Sequence, residues 1–241
     1  MTTTLLSQIN TVWAAHFHLS LEVSQQAGTT LIIKDKRTRE SWLTLWQVGQ
    51  RIVIEIAPDL LAEVQQIIDA LPTNPCLSAK DFDAVWGIET LDHSEMKMYV
   101  LEAAKFTPFT PAPHYLVRQL TPDDQPAFDD FLARCSEDDK DEGDVSIDHE
   151  IAFGIFDQQR IVAAASIFEW RGFIDIGVLT DPDYRKQGLG KAAVGRVCAH
   201  FLSGPRLIHY RHDVVNLGSQ GIAEGLGFTY YATIESIMLK S

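Results

Sequence analysis

The chain has little that would tie it to a membrane, a metal or a nucleic acid. None of its apolar runs approaches the ~20 residues needed to cross a bilayer. Cysteine is scarce, at three residues, and Cys76, Cys135 and Cys198 stand far apart without metal-ligand spacing. That excludes a disulfide framework and a zinc knuckle, and it fits a reducing, cytoplasmic setting. Lys and Arg together number 20 against 33 Asp and Glu, for a formal charge of −13. No nucleic-acid partner is expected from such a balance, because phosphate contacts need a basic face. Met1 to Leu6 lack a basic region and an unbroken apolar run, so no signal peptide is expected there. With Gly143 as the turn glycine of a calcium loop, the third ligand position would be Lys140 and the twelfth His149, which excludes that loop. No metal site and no internal repeat are expected.

What is present is a soluble globular composition, 46% hydrophobic over 241 residues, enough for one large or two ordinary domains. The stretch Thr107-Pro108-Phe109-Thr110-Pro111-Ala112-Pro113-His114 disfavours helix and offers few donors to a sheet. It sets the expected division: an α/β domain over 1–107, a proline-rich linker over 108–114 and a second domain over 115–241.

In the first half, Leu5, Ile9, Val12, Trp13 and Phe17 form a helical stripe. Thr30–Ile33, Trp42–Trp46 and Ile52–Ile56 read as strands, and Pro58–Leu71 as a helix with proline in its first turn. A helix over Ala79–Trp86 and a strand over Met96–Leu101 complete it. Trp13, Trp42, Trp46 and Trp86 sit at core spacing, and a ligand pocket is the less economical account of them. Two roles remain open for this half: acceptor recognition and homodimerisation.

The second half alternates strand and helix. Tyr115–Leu120 leads into a helix opened by Thr121-Pro122-Asp123-Asp124, an N-cap with proline at the first position. Strands follow over Ile151–Phe156, Ile161–Phe168 and Phe173–Leu179. Then come a helix over Lys191–Leu202, a strand over Leu207–Arg211, a helix over Leu217–Gly225 and closing strands over Phe228–Ala232 and Glu235–Leu239. The acidic stretch Glu137–Asp144 reads as a solvated loop, or as a rim that gathers cationic amines.

Between the third of these strands and its helix stands Arg185-Lys186-Gln187-Gly188-Leu189-Gly190. A helix N-terminus presents unpaired N–H groups and the positive end of the helix dipole, and so suits an anion. Gly188 and Gly190 lack a Cβ and would let a phosphate approach the backbone. Arg185, Lys186 and Lys191 crowd the turn, and over a screening length of about 8 Å they outweigh the acidic field of the whole chain.

These residues resemble motif A of the GNAT superfamily, the Gcn5-related N-acetyltransferases, with the signature [Q/R]-x-x-G-x-[G/A]. Asn216-Leu217-Gly218-Ser219 and Leu226-Gly227-Phe228 resemble the family's second conserved region. The likeness runs from about Tyr115 to Ser241. It implies an α/β (α+β) fold whose mixed, mostly antiparallel sheet is flanked by helices and splays open for the donor. It also implies acetyl-CoA as acyl donor, held by Val178, Leu179 and Thr180 along the strand, by Arg185, Lys186, Gln187, Gly188, Leu189, Gly190 and Lys191 in the loop, and by Asn216 and Ser219 beyond. Asn216 and Ser219 would serve equally as helix caps. Backbone N–H groups at Val178 to Thr180 would face the thioester oxygen, and Gly177 would allow pantetheine close.

Acyl transfer to an amine needs a base, since exposing the free amine of a pKa ~10.4 ammonium at pH 7 costs about 4–5 kcal/mol. Asp175 is the one acid inside an apolar strand, and such a residue is either paired structurally or functional. It is the first candidate, with Glu169, His209 and His212 in reserve. Many relatives carry a tyrosine four residues before the Gly-Phe pair, to protonate the thiolate; here that position is Ala223, and Tyr230 and Tyr231 cannot be assigned the role from spacing. Two functions therefore stand: an N-acetyltransferase acting on a primary amine of a small molecule or protein, or a non-catalytic acyl-CoA-binding module. Cys135, ending a helix, reads as structural rather than as a nucleophile.

Overall fold

The computed structural model describes residues 1–36, 43–70, 77–86 and 91–239. Trp42, Leu71 and Cys76 lie outside the described residues, so the expectations placed on them have no structural counterpart. The described residues divide into two compact units. One comprises Met1, Tyr99–Arg211 and Asn216–Thr229; the other comprises Thr2–Met98, His212–Val215 and the chain from Tyr230 onward. The first break between them falls at Met98/Tyr99, and the last strand groups with the N-terminal residues.

In chain order the N-terminal unit contains α1 (Thr3–His16), α2 (Leu21–Gln25), β1 (Gly28–Ile33), β2 (Leu43–Val48), β3 (Arg51–Ile56), α3 (Leu61–Ala70), α4 (Ala79–Trp86) and most of β4 (Leu91–Val100). Thr2 caps α1 by accepting from Leu5 N, and Leu5, Ile9 and Trp13 bury its expected stripe. β1 runs parallel to β3, and β3 pairs antiparallel with β2. Leu45, Ile54, Ile56, Leu60, Val64 and Phe82 form the core of this unit. Trp13 and Trp46 pack 5.2 Å apart, as core aromatics.

The other unit contains β5 (Tyr115–Gln119), α5 (Gln125–Leu132), α6 (Glu137–Gly143), β6 (Ile151–Asp157), β7 (Arg160–Trp170), β8 (Phe173–Thr180), α7 (Leu189–Phe201), the start of β9 (His209–Asp213) and α8 (Leu217–Leu226). The last strand is β10 (Thr229–Leu239). The chain closes on this one strand where two were expected. Ala232, Thr233, Ile234 and Glu235 pair without a break with Val48, Gln47, Trp46 and Leu45, so no turn interrupts it. The sheets are ordered β5-β6-β7-β8, wholly antiparallel, and β1-β3-β2-β10-β4-β9. This is the mixed α/β, mostly antiparallel architecture the sequence implies.

Helices cover both faces of the four-stranded sheet, which is why β7 is buried from Ile161 to Ile167 instead of alternating. On one face Leu189, Ala193 and Val197 of α7 pack with Ile155, Ala165, Ile167, Ile174 and Ile176. On the other, Phe128 and Phe131 of α5 pack with Ala152, Ile161, Ala164 and Leu179. The acidic stretch expected as a loop is helix α6. Ser136 caps it by accepting from Asp139 N, and Glu137, Asp138 and Asp139 in the first turn complement its dipole.

Candidate functional site

β8 runs antiparallel to β7 as far as Thr180. The turn after it is fastened by Asp181, 1% exposed, which accepts from Arg134 Nε at 2.7 Å, Arg160 Nη2 at 2.8 Å and Asp183 N at 3.1 Å. Burial alone would raise the Asp181 pKa, but the two guanidiniums and the backbone N–H hold it below the usual carboxylate range. With the turn fixed, Lys186 and Gly188 adopt positive φ (63° and 77°), and α7 starts at Leu189 with Gly188 as N-cap. Glycine has no side chain with which to cap, so the first N–H groups of α7 lack that partner. The uncapped helix start directly after a fastened strand end is the element an anionic ligand would use.

The glycines of this region also answer to the protein's own packing. A Cβ at Gly188 would fall 2.6 Å from the Phe109 ring, and one at Gly190 2.9 Å from Thr180 Oγ1. A Cβ at Gly177 would lie 2.1 Å from the Asp144 carbonyl oxygen, so the close neighbour at Gly177 is the end of α6, where pantetheine was expected.

The side chains of the loop are engaged. Arg185 donates from Nη2 to Asp139 Oδ1 at 2.6 Å, and Gln187 accepts from the Tyr115 hydroxyl at 2.8 Å. Lys191 Nζ stands 5.1 Å from the Phe109 ring centroid. Lys186 is exposed, while Leu189 is buried and offers only its backbone. Val178 and Thr180 are half-buried and Leu179 is buried on the α5 face. Asn216 does cap α8, accepting from Ser219 N at 3.0 Å, and its amide donates to Glu142 at 3.1 Å. Helix α6 thereby holds both motifs, Arg185 through Asp139 and Asn216 through Glu142. Sequence reasoning missed this because it treated α6 as loop, although Ser136 followed by three acids is a helix-start signal.

β8 and the start of β9 touch through one parallel bridge, Ile174 with Ile208. Among the described residues no ladder continues it, so the two segments part from there onward. Beside the bridge sits Asp175, 1% exposed. Its Oδ1 lies 2.9 Å from His209 Nδ1, and its Oδ2 accepts from Arg211 Nε at 2.5 Å. Burial would raise its pKa, but His209 and Arg211 outweigh that and hold it below the usual range. Both oxygens are taken and the carboxylate is kept ionised, which is the chemistry of an anchor. A base needs a pKa near working pH and reach to its substrate.

The reserve residues are placed elsewhere. Glu169 is exposed and accepts from Gly172 N in the β7–β8 turn. His209 is buried under Trp170 and Phe173, at ring-centroid distances of 5.2 and 4.9 Å. His212, Tyr230 and Tyr231 belong to the other unit. Ala223 is fully buried in the α7–α8 core. Tyr210, which the sequence did not single out, is buried with its hydroxyl toward Ser219 but no partner at hydrogen-bonding geometry, and burial pushes its pKa up. Cys135 is buried with a raised pKa, which suits an inert thiol.

Residues 147–235 match the family model described as GNAT acetyltransferase. The crystal structure of a GCN5-related N-acetyltransferase-like protein from Streptococcus suis 89/1591 is 17% identical, over 95% of this chain and 92% of that one, with a TM-score of 0.51. A GCN5-related N-acetyltransferase from Kribbella flavida is 18% identical over 83% and 69% of the two chains, with a TM-score of 0.50. A functionally unknown conserved protein from Staphylococcus epidermidis ATCC 12228 is 11% identical over 80% and 86%, with a TM-score of 0.51. This chain spans 66% and 60% of the length of two further matched structures, from Novosphingobium aromaticivorans and Drosophila. At these identities the likeness is one of fold. No curated protein matches the chain.

Proposed function

We propose that the C-terminal part of this chain, whose residues 147–235 match the GNAT acetyltransferase model, transfers an acetyl group from acetyl-CoA to a primary amine of a small molecule or protein. The observation that carries this reading is the uncapped N-terminus of α7, set directly after the fastened end of β8. N–H groups at Leu189 to Lys191 would take the diphosphate, with Arg185 and Lys186 beside it. The donor supplies a thioester carbonyl, which accepts the amine lone pair while the C–S bond breaks and the thiolate leaves. Of the strand's backbone N–H groups, those of Val178 and Thr180 point away from β7 and would face the developing negative oxygen, the usual means of stabilising acyl transfer.

Asp175 has no part in proton transfer on this account; it fixes β9 against β8. The amine would instead give its proton to solvent at the opening; Asp138, Asp141 and Glu142 of α6 are exposed. The same carboxylates would gather a cationic amine. No helix among the described residues is long and apolar enough to cross a membrane, and Cys135 and Cys198 are free. The N-terminal half remains the candidate for acceptor recognition or self-association.

The specific observation favouring a non-catalytic acyl-CoA-binding module is the pair Ala223 and Asp175, one standing where many relatives have a tyrosine and the other with both oxygens held by His209 and Arg211. Thiol release from acetyl-CoA across a panel of amines decides between them. Amine-dependent release supports the transferase; acetyl-CoA binding without release on any amine supports the module.

A further inference from the structure

Arg211 is held unlike an ordinary surface arginine. Its Nε donates to Asp175, which is 1% exposed, and its guanidinium lies 4.7 Å from the centroid of the Trp170 ring. Trp170 in turn stacks on His209 at an interplanar angle of 8°, and His209 holds the other oxygen of Asp175. A buried carboxylate and two stacked rings thus fix the plane of one guanidinium. A guanidinium carries five N–H donors, and only Nε–H is spent. The terminal nitrogens donate to none of the described residues, and the side chain keeps 25% of its exposure.

The position gives this fork a use. Through Asp175, Arg211 is tied to β8 two residues before Gly177 and three before the expected thioester-binding segment at Val178. It therefore stands where β8 and β9 part. Asp175 and Gly177 share one face of β8, the face on which the end of α6 abuts Gly177, and Arg211 meets Asp175 there from β9. On that side of the opening the exposed groups of α6 are acidic, and Arg211 is the pinned cation.

We propose that Arg211 is a carboxylate receptor, and that the acceptor is an amine that also carries a carboxylate, as an amino acid does. This deepens the acetyltransferase reading and rests on it for the word acceptor. Planar guanidinium and carboxylate pair through two parallel N–H···O bonds, a geometry lysine cannot supply. A fork pinned in advance loses little freedom on binding. The ammonium end of the same molecule would face the carboxylates of α6, so one ligand satisfies both signs of charge. This also accounts for a charged residue buried in β8: Asp175 orients Arg211.

The test is calorimetric titration of the full chain, in the presence of coenzyme A, with matched probes: glycine against glycinamide and L-lysine against L-lysinamide. The wild type should bind each carboxylate about tenfold more tightly than its amide, as expected for a charge-assisted bidentate pair. Arg211→Lys, which keeps a cation beside Asp175 and so preserves the fold, should bring that preference to near unity without a change in Tm. Equal affinity for carboxylate and amide in the wild type, or a preference untouched in Arg211→Lys, would overturn the proposal. Thiol release from acetyl-CoA, run on the same probes, separates the two claims. Release that ignores the carboxylate sinks the receptor and leaves the transferase. Carboxylate preference without release on any amine sinks the transferase and leaves the receptor.

Discussion

Arg185 Nη2 donates to Asp139 Oδ1 at 2.6 Å, so the loop's guanidinium already holds a carboxylate of α6. On the proposed function, a diphosphate arriving at α7 would compete with that contact. Both partners are partly exposed, at 45% and 29%, and such pairs contribute little on their own. Replacing Asp139 with Asn should therefore leave stability within about 0.5 kcal/mol while tightening coenzyme A binding a few-fold. Calorimetry at low and physiological salt checks this, with the larger gain expected at low salt.

Phe109 occupies the space a side chain at Gly188 would need, and Gly188 has φ +77°. Gly188→Ala should cost about 1 kcal/mol for the backbone conformation alone, plus the displacement of the ring. In a Phe109→Ala background only the backbone part should remain. Thermal unfolding of the two single variants and the double variant separates the terms, and strictly additive losses would mean the ring yields freely.

The pH dependence of stability follows from Asp175. Its folded pKa lies below its unfolded value, so its contribution is complete above the ordinary aspartate pKa of about 3.9 and is lost as pH falls towards the folded value. Asp175→Asn should be less stable than the wild type at neutral pH, with the gap narrowing below about pH 4. Denaturant unfolding between pH 7 and pH 3 measures the convergence; parallel curves would contradict it. On the present account Asp175→Asn lowers turnover only through a loosened Arg211, so its loss should appear mainly in KM for the acceptor.

Much of this was legible in the residues. Continuous apolar runs placed β6, β7 and β8, and four-residue periodicity placed α7, because those elements are buried and carry their signal in composition. The Arg-x-x-Gly-x-Gly turn was found for the same local reason. The rest depends on contacts distant in sequence. Asp175 looked equally like a base or a paired group until His209 and Arg211, more than thirty residues on, were seen to take both oxygens. Gly177 looked made for a ligand until Asp144 was found against it. The proline-rich stretch carried every mark of a linker, yet Phe109 packs on Gly188 and Thr107 N donates to Leu226 O at 3.0 Å. Such a segment lacks periodicity because it makes single contacts, and single contacts leave no pattern.

The central claim is that the start of α7 grips the diphosphate of an acyl-CoA. Calorimetry comparing acetyl-CoA with S-acetylpantetheine, which carries the same thioester without the nucleotide, tests it most directly. The account predicts measurable binding of acetyl-CoA and at least a hundredfold weaker binding of the truncated thioester, on the order of 3 kcal/mol. Equal affinities, or no acetyl-CoA binding at all, would contradict it.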